Sequence, residues 1–468
     1  MELDPVLLSR IQFGFVVSFH AIFPVFTIGL ASYIAVLESI YFRTGDNEWA
    51  RLSQFWTKIF AVVFGMGVVS GLVMSFQFGT NWSEFAYRTA NFLGPVLTYE
   101  VITAFFLEAA FLGVLLFGRN RVPPGLFLTS AWMVAIGTFI SSFWILSANS
   151  WMQTPAGIEM RDGIVHVTNW IEAIFNPSFW PRFFHMALAS LLTGGFVVAG
   201  ISAYFLLRNH AVEASRRALK MTLVLLAIAA PAQLVVGDIH GLNTFEHQPA
   251  KVAAMEGTWE TQRGAPFLLF AIPDSANETN HFEIGIPNAA SLILTHEWDG
   301  EIRGLKDFPA AERPNVGWVF WPFRVMLAIG FLMIIVALTG AWKLWRGRLE
   351  ESTRYLRVLT WMVPLPFVAV LAGWFVTEIG RQPFLLYGMM DVHQSVTPHL
   401  TGGMALFTLL GYIAVYAVVF SAGVYYLTRI VRHGMEDVRT APPVEEAGRP
   451  KRPLSGADDT LDSEPKSR

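Results

Sequence analysis

The stretch WPRFFHMALASLLTGGFVVAGISAYFLL, residues 180–207, is almost wholly apolar and contains one arginine and one histidine. At 1.5 Å rise per residue, a helix of this length spans about 42 Å, more than the roughly 30 Å hydrocarbon core of a bilayer. Eight further stretches share this character, centred at residues 11–40, 53–78, 93–117, 126–148, 217–237, 316–341, 357–379 and 400–430. The sequence therefore predicts an all-α integral membrane protein with about nine transmembrane helices.

Composition supports this class and narrows the chemistry. Hydrophobic residues make up 53% of the chain and charged residues only 15%, too few charges to cover a soluble protein of 468 residues. The net charge of -3 and the absence of a basic stripe exclude nucleic-acid binding. There is no cysteine, which excludes disulfides, iron–sulfur clusters and thiolate-bound metal. Histidine, methionine and carboxylates remain as ligands for a redox centre.

Positive charge predicts the orientation of the helices, because loops rich in lysine and arginine remain in the cytoplasm. Such residues fall in alternate loops, at Arg43, Arg51, Arg119, Arg121, Arg208, Arg216, Arg217, Lys220, Lys343, Arg346, Arg348, Arg354 and Arg357. We therefore expect the N-terminus outside and the C-terminus inside. The start of the chain lacks the features of a cleaved signal peptide, so we expect the first helix to be retained.

The same topology divides the chain into four segments. Residues 1–237 carry helices one to six, 238–315 form an extracytoplasmic loop, and 316–434 carry helices seven to nine. Residues 435–468 are rich in proline and charge and poor in aromatic residues, which predicts a disordered cytoplasmic tail. Loops as long as the outer one are usually functional or disordered. Its first part contains several ionisable residues, which indicate either ligand binding or a solvated surface: Asp238, His240, Glu246, His247, Lys251 and Glu256.

Ionisable groups at membrane depth are costly, so they usually face a cavity, a partner or a cofactor. His20 and His185 lie in the first and fifth apolar segments. For either histidine alone, a hydrogen bond between helices is the more common explanation and haem ligation is the alternative. A His/Met pair holds a low-spin haem, and His185 with Met326 are candidates, although methionine is more often a gap-filler. Arg324, two residues before Met326, would either neutralise a haem propionate or reach the interface.

Two carboxylates in the third segment, Glu100 and Glu108, are eight residues apart. On a regular helix they are about 80° apart around the axis and about 12 Å apart along it, so one cavity can reach both. Such a pair suits a proton relay, and the alternative for each is a structural hydrogen bond. Glu378 and Arg381 are three residues apart, which also fits a simple ion pair.

Five motifs occur in an order that resembles subunit I of cytochrome bd, a family of bacterial quinol oxidases that includes the cyanide-insensitive enzymes. They are FQFGTNWS at 76–83, the third helix with Glu100 and FFLE ending at Glu108, WMQTP at 151–155, FWPFRVM at 320–326 and GWFVTEIGRQPF at 373–384. The resemblance extends to about residue 430. It implies a haem-binding helix bundle that oxidises quinol, reduces oxygen to water and builds a proton motive force without a pump.

The resemblance also implies the cofactors and their ligands. His185 and Met326 would hold the iron of a low-spin haem b, and His20 and Glu378 would hold the irons of two high-spin haems. One of these would be a haem b and the other a haem d or a further haem b. The usual family assignment gives His20 to the oxygen-reducing haem and Glu378 to the second haem b.

Further roles follow from the same resemblance. Arg324 and Arg381 would lie by the haems, Trp374 between them, and Lys251 and Glu256 at the site of quinol oxidation. Proton delivery would use a polar route that includes Glu100, Glu108, Lys58 and Ser141. The family's GRQPW reads GRQPF here, ending in Phe384, and the outer loop lacks the insertion of the long-loop members.

The implied partners are a smaller membrane subunit II, with a single-helix small subunit as a further candidate, together with quinol, oxygen and the bilayer of the bacterial inner membrane. Two other classes compete with this interpretation. A secondary transporter also buries Glu, Lys and Arg, but the sequence lacks the internal repeats expected of one. A cytochrome that only carries electrons would need axial pairs and no open iron position, whereas His20 and Glu378 are unpaired candidates.

Overall fold

In the computed structural model, residues 3–435 are described, and they are mostly helical. The membrane-spanning part consists of α1 (Pro5–Thr44), α2 (Asn47–Thr80), α3 (Ser83–Glu100), a π-helical turn (Val101–Phe105), α4 (Phe106–Phe117), α5 (Pro124–Gln153), α6 (Trp170–Ile174), α7 (Phe179–Leu207), α8 (Val212–His247), α11 (Val316–Trp345), α12 (Thr353–Met362), α13 (Leu365–Ile379) and α14 (Gly402–His433). Within residues 3–435, nine helical spans are long and apolar enough to cross a membrane. The predicted fold class and number of spans are confirmed.

The segments between the spans are short helices and two-stranded antiparallel sheets. They are β1 (Ile158–Arg161) with β2 (Ile164–Val167), α9 (Pro249–Glu256), β3 (Gln262–Arg263) with β6 (Glu301–Ile302), β4 (Phe267–Asp274) with β5 (Thr279–Ile286), α10 (Ala289–Thr295), and β7 (Phe384–Leu386) with β8 (Met390–Asp391). Residues 238–315, which are predicted to lie outside and are called the outer segment for that reason, are therefore folded. The predicted tail at 435–468 lies outside the described residues except for Met435.

Helix α1 lies at the centre of the bundle, where it packs against α2, α5, α7 and α14. It begins with Asp4, whose side chain accepts a hydrogen bond from the amide of Val6, and Pro5 occupies the first turn. Gly29 on α1 lies directly against Ser190 and Gly194 on α7. Small residues at this crossing allow the two backbones to approach closely, as is common between membrane helices.

The outer ends of α8, α11 and α13 support the folded outer segment. Helix α8 continues to His247, ten residues into the segment expected to be loop, so His240 and its neighbours are on a helix. The chain then turns into α9, whose buried face packs with β4 against α11 and α13. Hydropathy marks where a helix leaves apolar surroundings but does not mark where its hydrogen bonding ends, which explains the longer α8.

Candidate functional site

His185 lies on α7 and faces α8. The side-chain nitrogen Nε2 of Gln233 is 3.2 Å from His185 Nδ1 and 3.3 Å from His185 Nε2. The ring of His240 is 5.4 Å away between centroids. A Cβ on Gly237 would come within 3.3 Å of the His185 ring, so the glycine leaves space beside the imidazole. The expected low-spin ligand is thus enclosed by polar and small residues of one neighbouring helix.

Met326 lies on α11, and a Cβ on Gly373 of α13 would be only 3.0 Å from its sulfur. Helices α8 and α13 each pack against both α7 and α11. His185 and Met326 are therefore on two helices that share the same two neighbours. If both side chains hold one cofactor, His185 would reach it from α7 and Met326 from α11; the pairing itself stays a prediction.

His20 lies on α1 opposite α2. Its Nδ1 is 2.9 Å from the hydroxyl of Ser70, and that hydroxyl donates a hydrogen bond to the carbonyl of Gly67 at 2.9 Å. The hydroxyl proton is thus engaged, so His20 Nδ1 would donate to Ser70 and its Nε2 would be left as the acceptor nitrogen. Gly71 again provides space, because a Cβ there would be 3.2 Å from His20 Cε1. A histidine fixed in this tautomer suits metal ligation through Nε2.

Glu378 is oriented from both sides. Its Oε1 accepts a hydrogen bond from Asn149 of α5 at 2.7 Å, and its Oε2 accepts one from Arg381 at 2.5 Å. Arg381 is only 2% exposed and also donates to the carbonyl of Leu385 at 2.7 Å. Burial lowers the pKa of Arg381, and the negative charge of Glu378 opposes this. Among residues 3–435, the Nε of Arg381 has no hydrogen-bond partner, so one cationic donor remains for an anionic group.

Glu256 and Arg324 form a buried ion pair between the end of α9 and the outer part of α11. Arg324 Nη2 is 2.9 Å from Glu256 Oε2, and the side chains are 7% and 4% exposed, respectively. Burial raises the pKa of Glu256, and Arg324 opposes that rise. Arg324 Nε donates to the carbonyl of Leu268, whereas its Nη1 has no acceptor in the described part of the chain.

Lys251 is buried on α9, and its amine lies against polar side chains. Nζ donates to Gln153 Oε1 at 2.6 Å and to Gln248 Oε1 at 2.7 Å. Burial is the main reason that the pKa of Lys251 is well below its usual range, and the nearby charges of Arg182 and Arg381 lower it further. A neutral amine would donate both of its protons to these two amides and keep a free lone pair. Such a group is able to accept a proton.

Glu100 and Glu108 do not lie on the one regular helix that the sequence predicts. Glu100 ends α3 and accepts a hydrogen bond from Ser141 at 2.7 Å. The π-helical turn Val101–Phe105 separates it from Glu108, so the 80° offset does not apply. Glu108 is 6% exposed and lies against α5, where a Cβ on Gly137 would be 2.6 Å from Glu108 Cγ. Within residues 3–435, Glu108 Oε1 has no hydrogen-bond partner.

Trp374 and Lys58, two further residues that the resemblance implies, lie on α13 and α2, respectively. Trp374 is half-buried on α13, one helical turn before Glu378. Lys58 is exposed on α2 and is not among the buried polar residues. The structure thus brings Ser141 to Glu100.

Several polar residues of the site were missed by sequence reasoning. Arg182 on α7 is 6% exposed, and its Nε has no partner among the described residues. Its charge inside an apolar segment was the signal that marks it. Asn149, Gln153 and Gln233 are uncharged and gave no comparable signal, although Gln153 belongs to the WMQTP motif. Asn149 donates a hydrogen bond to Glu378, Gln233 lies within hydrogen-bond distance of His185, and Gln153 accepts a hydrogen bond from Lys251.

Comparison with known proteins identifies the family of this chain. The sequence model of "Cytochrome bd terminal oxidase subunit I" matches residues 8–435, which include every candidate site residue. The chain belongs to this family. It is 35% identical to the cytochrome bd ubiquinol oxidase subunit 1 of Bacillus subtilis over 444 residues, covering 93% of this chain and 95% of the relative. It is 31% identical to the cytochrome bd-II ubiquinol oxidase subunit 1 of Escherichia coli, covering 95% and 100% of the two chains.

The fold agrees with a solved member of the same group. The bd oxidase structure from Geobacillus thermodenitrificans superposes with a TM-score of 0.84 at 30% identity, covering 92% of this chain and 99% of that chain. The predicted family is confirmed, and so is the predicted class of enzyme, a membrane quinol oxidase with haem cofactors that works with a partner subunit. The residue-level assignments remain predictions.

Proposed function

We propose that this chain is the haem-carrying subunit of a bd-type oxidase in the bacterial inner membrane. It would oxidise quinol near the outer face and reduce oxygen to water. The observation that carries this proposal is the family match over residues 8–435, which contains all four candidate iron ligands and both quinol-site residues. Relatives are named as ubiquinol oxidases and as a putative menaquinol oxidase, so quinol is the substrate class that they share.

The ligand chemistry supports three haems. Imidazole, thioether and carboxylate are all known axial or metal ligands, and a glycine borders His20, His185 and Met326. We assign His185 and Met326 to a low-spin haem b. His20 and Glu378 are assigned to two high-spin haems, a haem b and either a haem d or a second haem b. When bound, these groups would supply electron transfer and an open iron position for oxygen.

The protein's own groups would orient and charge-balance those haems. Ser70 would hold His20 in one tautomer, and Asn149 would fix Glu378. Within residues 3–435, Arg324 Nη1 and Arg381 Nε are buried nitrogens without a hydrogen-bond partner, which suits the carboxylate of a haem propionate. Trp374 would lie between the haems because it is on α13, one turn from Glu378.

Quinol oxidation releases two protons for every two electrons, so the site needs groups that accept protons outside the membrane core. We place this step at Glu256 and Lys251. Burial raises the pKa of Glu256 and lowers the pKa of Lys251, which makes both groups candidates for proton transfer in the reaction. Glu256 contacts Arg324, two residues from Met326, and this contact supports a quinol site beside the proposed low-spin haem.

Protons for oxygen reduction would come from the opposite side, through Glu108 and Glu100. Glu108 is buried with an unpaired carboxylate oxygen among the described residues, and Glu100 is held by Ser141. Lys58, exposed on α2, would belong to the entrance of this route. Uptake on one side and release on the other separates charge without a pump.

The alternating arginine-rich loops support an orientation with the N-terminus outside and the C-terminus in the cytoplasm. The partner would be the smaller membrane subunit II, with a single-helix small subunit as a further candidate. This orientation places α9 and the β4–β5 pair on the outer side.

The test is optical spectroscopy of the purified oxidase with its partner, with haem extraction. We expect a low-spin b signal and a high-spin haem that binds carbon monoxide when reduced. His20→Ala should abolish the carbon monoxide signal and leave the low-spin signal. Gly373→Ala should disturb the low-spin signal because the new methyl group would displace Met326.

The control for the last variant is Gly330→Ala on the same helix as Met326, since a Cβ at Gly330 meets nothing within 4 Å among the described residues. Haem-free protein that is well folded would overturn the proposed function. A normal carbon monoxide signal in His20→Ala would overturn the ligand assignment alone.

A further inference from the structure

The antiparallel pair β4–β5 in the outer segment has an exposed apolar face. On β5, Phe282, Ile284 and Ile286 are 77%, 61% and 51% exposed and alternate with the polar residues His281 and Glu283. Ile284 and Ile286 are two residues apart in the regular part of β5 and therefore lie on one face, whereas Phe282 has a φ of 55° at a shift in the strand register. A contiguous apolar face of this kind is unfavourable in water and indicates contact with another apolar phase.

The position of this face can be read from α11, which carries tryptophans at both ends. Trp318 and Trp321 lie near its start, and Trp342 and Trp345 lie near its end, all at least one-third exposed. Trp321 and Trp342 are separated by 21 residues, which is about 32 Å along a helix and matches the thickness of the hydrocarbon core. Tryptophan concentrates at both membrane interfaces. Trp321 therefore marks the level of one interface.

The strand pair is fixed at that level. The ring of Phe270 on β4 packs against Trp321 with centroids 5.2 Å apart. Phe270 pairs across the sheet with Ile284, so the exposed side chain of Ile284 is on the same face and close to the same height. Leu268, two residues before Phe270, accepts a hydrogen bond from Arg324, which attaches the strand to α11 at a second point.

The lipid-facing side of α11 continues directly into this face. Trp318, Trp321, Val325, Leu332 and Ile335 recur at three-, four- and seven-residue intervals and are all exposed, as expected for a stripe along one side of a membrane helix. Phe270 contacts that stripe at Trp321. The apolar surface of the strand pair and that of the helix are thus continuous.

We propose that the β4–β5 pair lies in the outer membrane–water interface, with Ile284 and Ile286 immersed among lipid acyl chains. Lipid is the occupant that the geometry favours, because the face is continuous with a membrane helix at the height of its interfacial tryptophan. The turn that joins the strands is polar, with Asp274 accepting hydrogen bonds from the amides of Ala276 and Asn277, and it would remain in water. None of the proposed haem ligands is involved.

The test uses the absence of native cysteine in this chain. Ile284→Cys in the whole oxidase would carry a nitroxide label, with the complex placed in nanodiscs of phosphatidylethanolamine and phosphatidylglycerol. Collision of the label with oxygen, which concentrates in lipid, is compared with collision with a water-soluble nickel chelate. Ser275→Cys, exposed in the polar turn, is the matched control. The wild-type complex, treated with the same label, gives the background signal.

We expect a severalfold higher ratio of oxygen to nickel collisions at Ile284 than at Ser275, and the same result for Ile286→Cys. Equal ratios at Ile284 and Ser275 would show that the face is in water and overturn the proposal. A label that is inaccessible to both reagents would show that protein, either a partner subunit or a second copy of the chain, covers the face, which also overturns it. Loss of haem or activity would not affect this readout.

Discussion

The buried pair Glu256–Arg324 allows a quantitative prediction from a double-mutant cycle. The variants are Glu256→Met, Arg324→Met and the two together, chosen because methionine replaces volume without charge. Two unit charges about 4 Å apart attract by about 4 kcal/mol at an effective dielectric constant near 20. Removing one partner of a buried pair typically costs about 3–5 kcal/mol, because the other charge is left without a partner.

The two single variants should not be equal. In Glu256→Met the guanidinium of Arg324 cannot lose its proton, so the full cost of about 3 kcal/mol or more is expected. In Arg324→Met the carboxyl of Glu256 can take up a proton, since burial already raises its pKa and the opposing charge is gone. The double variant buries neither charge and should recover about 2–3 kcal/mol of coupling.

The assay is the rate of thermal inactivation of the purified oxidase at one temperature. If the contact is broken in the transition state for unfolding, 3 kcal/mol corresponds to a rate about 10²-fold faster for Glu256→Met. Glu84→Gln is the control, because Glu84 pairs with Arg88 at the surface and should change the rate little. Strictly additive effects of the two single substitutions would refute the reasoning.

The pH dependence of Arg324→Met provides a separate check. When the pKa of a carboxyl is higher in the folded than in the unfolded protein, its protonation stabilises the fold. This contribution is fully present below the unfolded pKa of about 4.3 and is lost as the pH rises through the folded pKa. Arg324→Met should therefore lose stability relative to wild type as the pH increases above that value. A difference that is independent of pH would mean that Glu256 does not titrate in this variant.

Three further predictions concern the proton route, the haem ligand and the quinol site. Gly137→Ala should slow oxygen reduction at least about tenfold, because displacement of Glu108 would interrupt proton delivery; steady-state turnover at saturating quinol is the measurement. Asn149→Ala should reduce the content of high-spin haem, measured by haem extraction, because Glu378 loses its 2.7 Å hydrogen bond. Because the folded pKa of Lys251 is lowered, the wild type should lose stability as the pH falls from about 10. Lys251→Met should remove this loss, and thermal inactivation measured across pH is the test.

Each of these has a control or an opposing outcome. Gly113→Ala is the control for Gly137→Ala, because a Cβ at Gly113 has nothing within 4 Å in the described chain. Equal turnover in the two variants would exclude displacement of Glu108 as the cause of slower oxygen reduction. Unchanged haem content in Asn149→Ala would show that Arg381 alone orients Glu378. A pH slope in Lys251→Met equal to that of wild type would mean that another group titrates.

The sequence predicted the helical spans and most of the charged residues near the site, because both depend on local properties. Hydropathy identifies a span without knowledge of its neighbours, and a charge inside a span is conspicuous. The partners of those charges were beyond sequence reasoning. Asn149 lies more than two hundred residues from Glu378, and Gln153 lies nearly one hundred residues from Lys251. Only the packing of the helices brings these pairs together.

The outer segment shows a different limit. Its residues 281–286 alternate between polar and apolar side chains, which favours a strand, but a single short alternation in a long connection is a weak signal. Neither the pairing with residues 267–274 nor the contact of Phe270 with Trp321 has any local signature. The extension of α8 to His247 was missed because its last ten residues mix polar and apolar side chains and yet remain hydrogen-bonded in the helix.

The π-helical turn Val101–Phe105 has a consequence for the chain's tolerance of insertions and deletions. A wide turn of this kind is equivalent to one extra residue in an α-helix, and one residue corresponds to about 100° of rotation. Deleting a single residue there would restore a regular helix and leave α4 in nearly its present orientation, because the wide turn already accommodates that residue. Glu108 would then keep its place against Gly137. The same deletion in the regular part of α4 before Glu108 would turn that side chain by about 100° and move it away from Gly137.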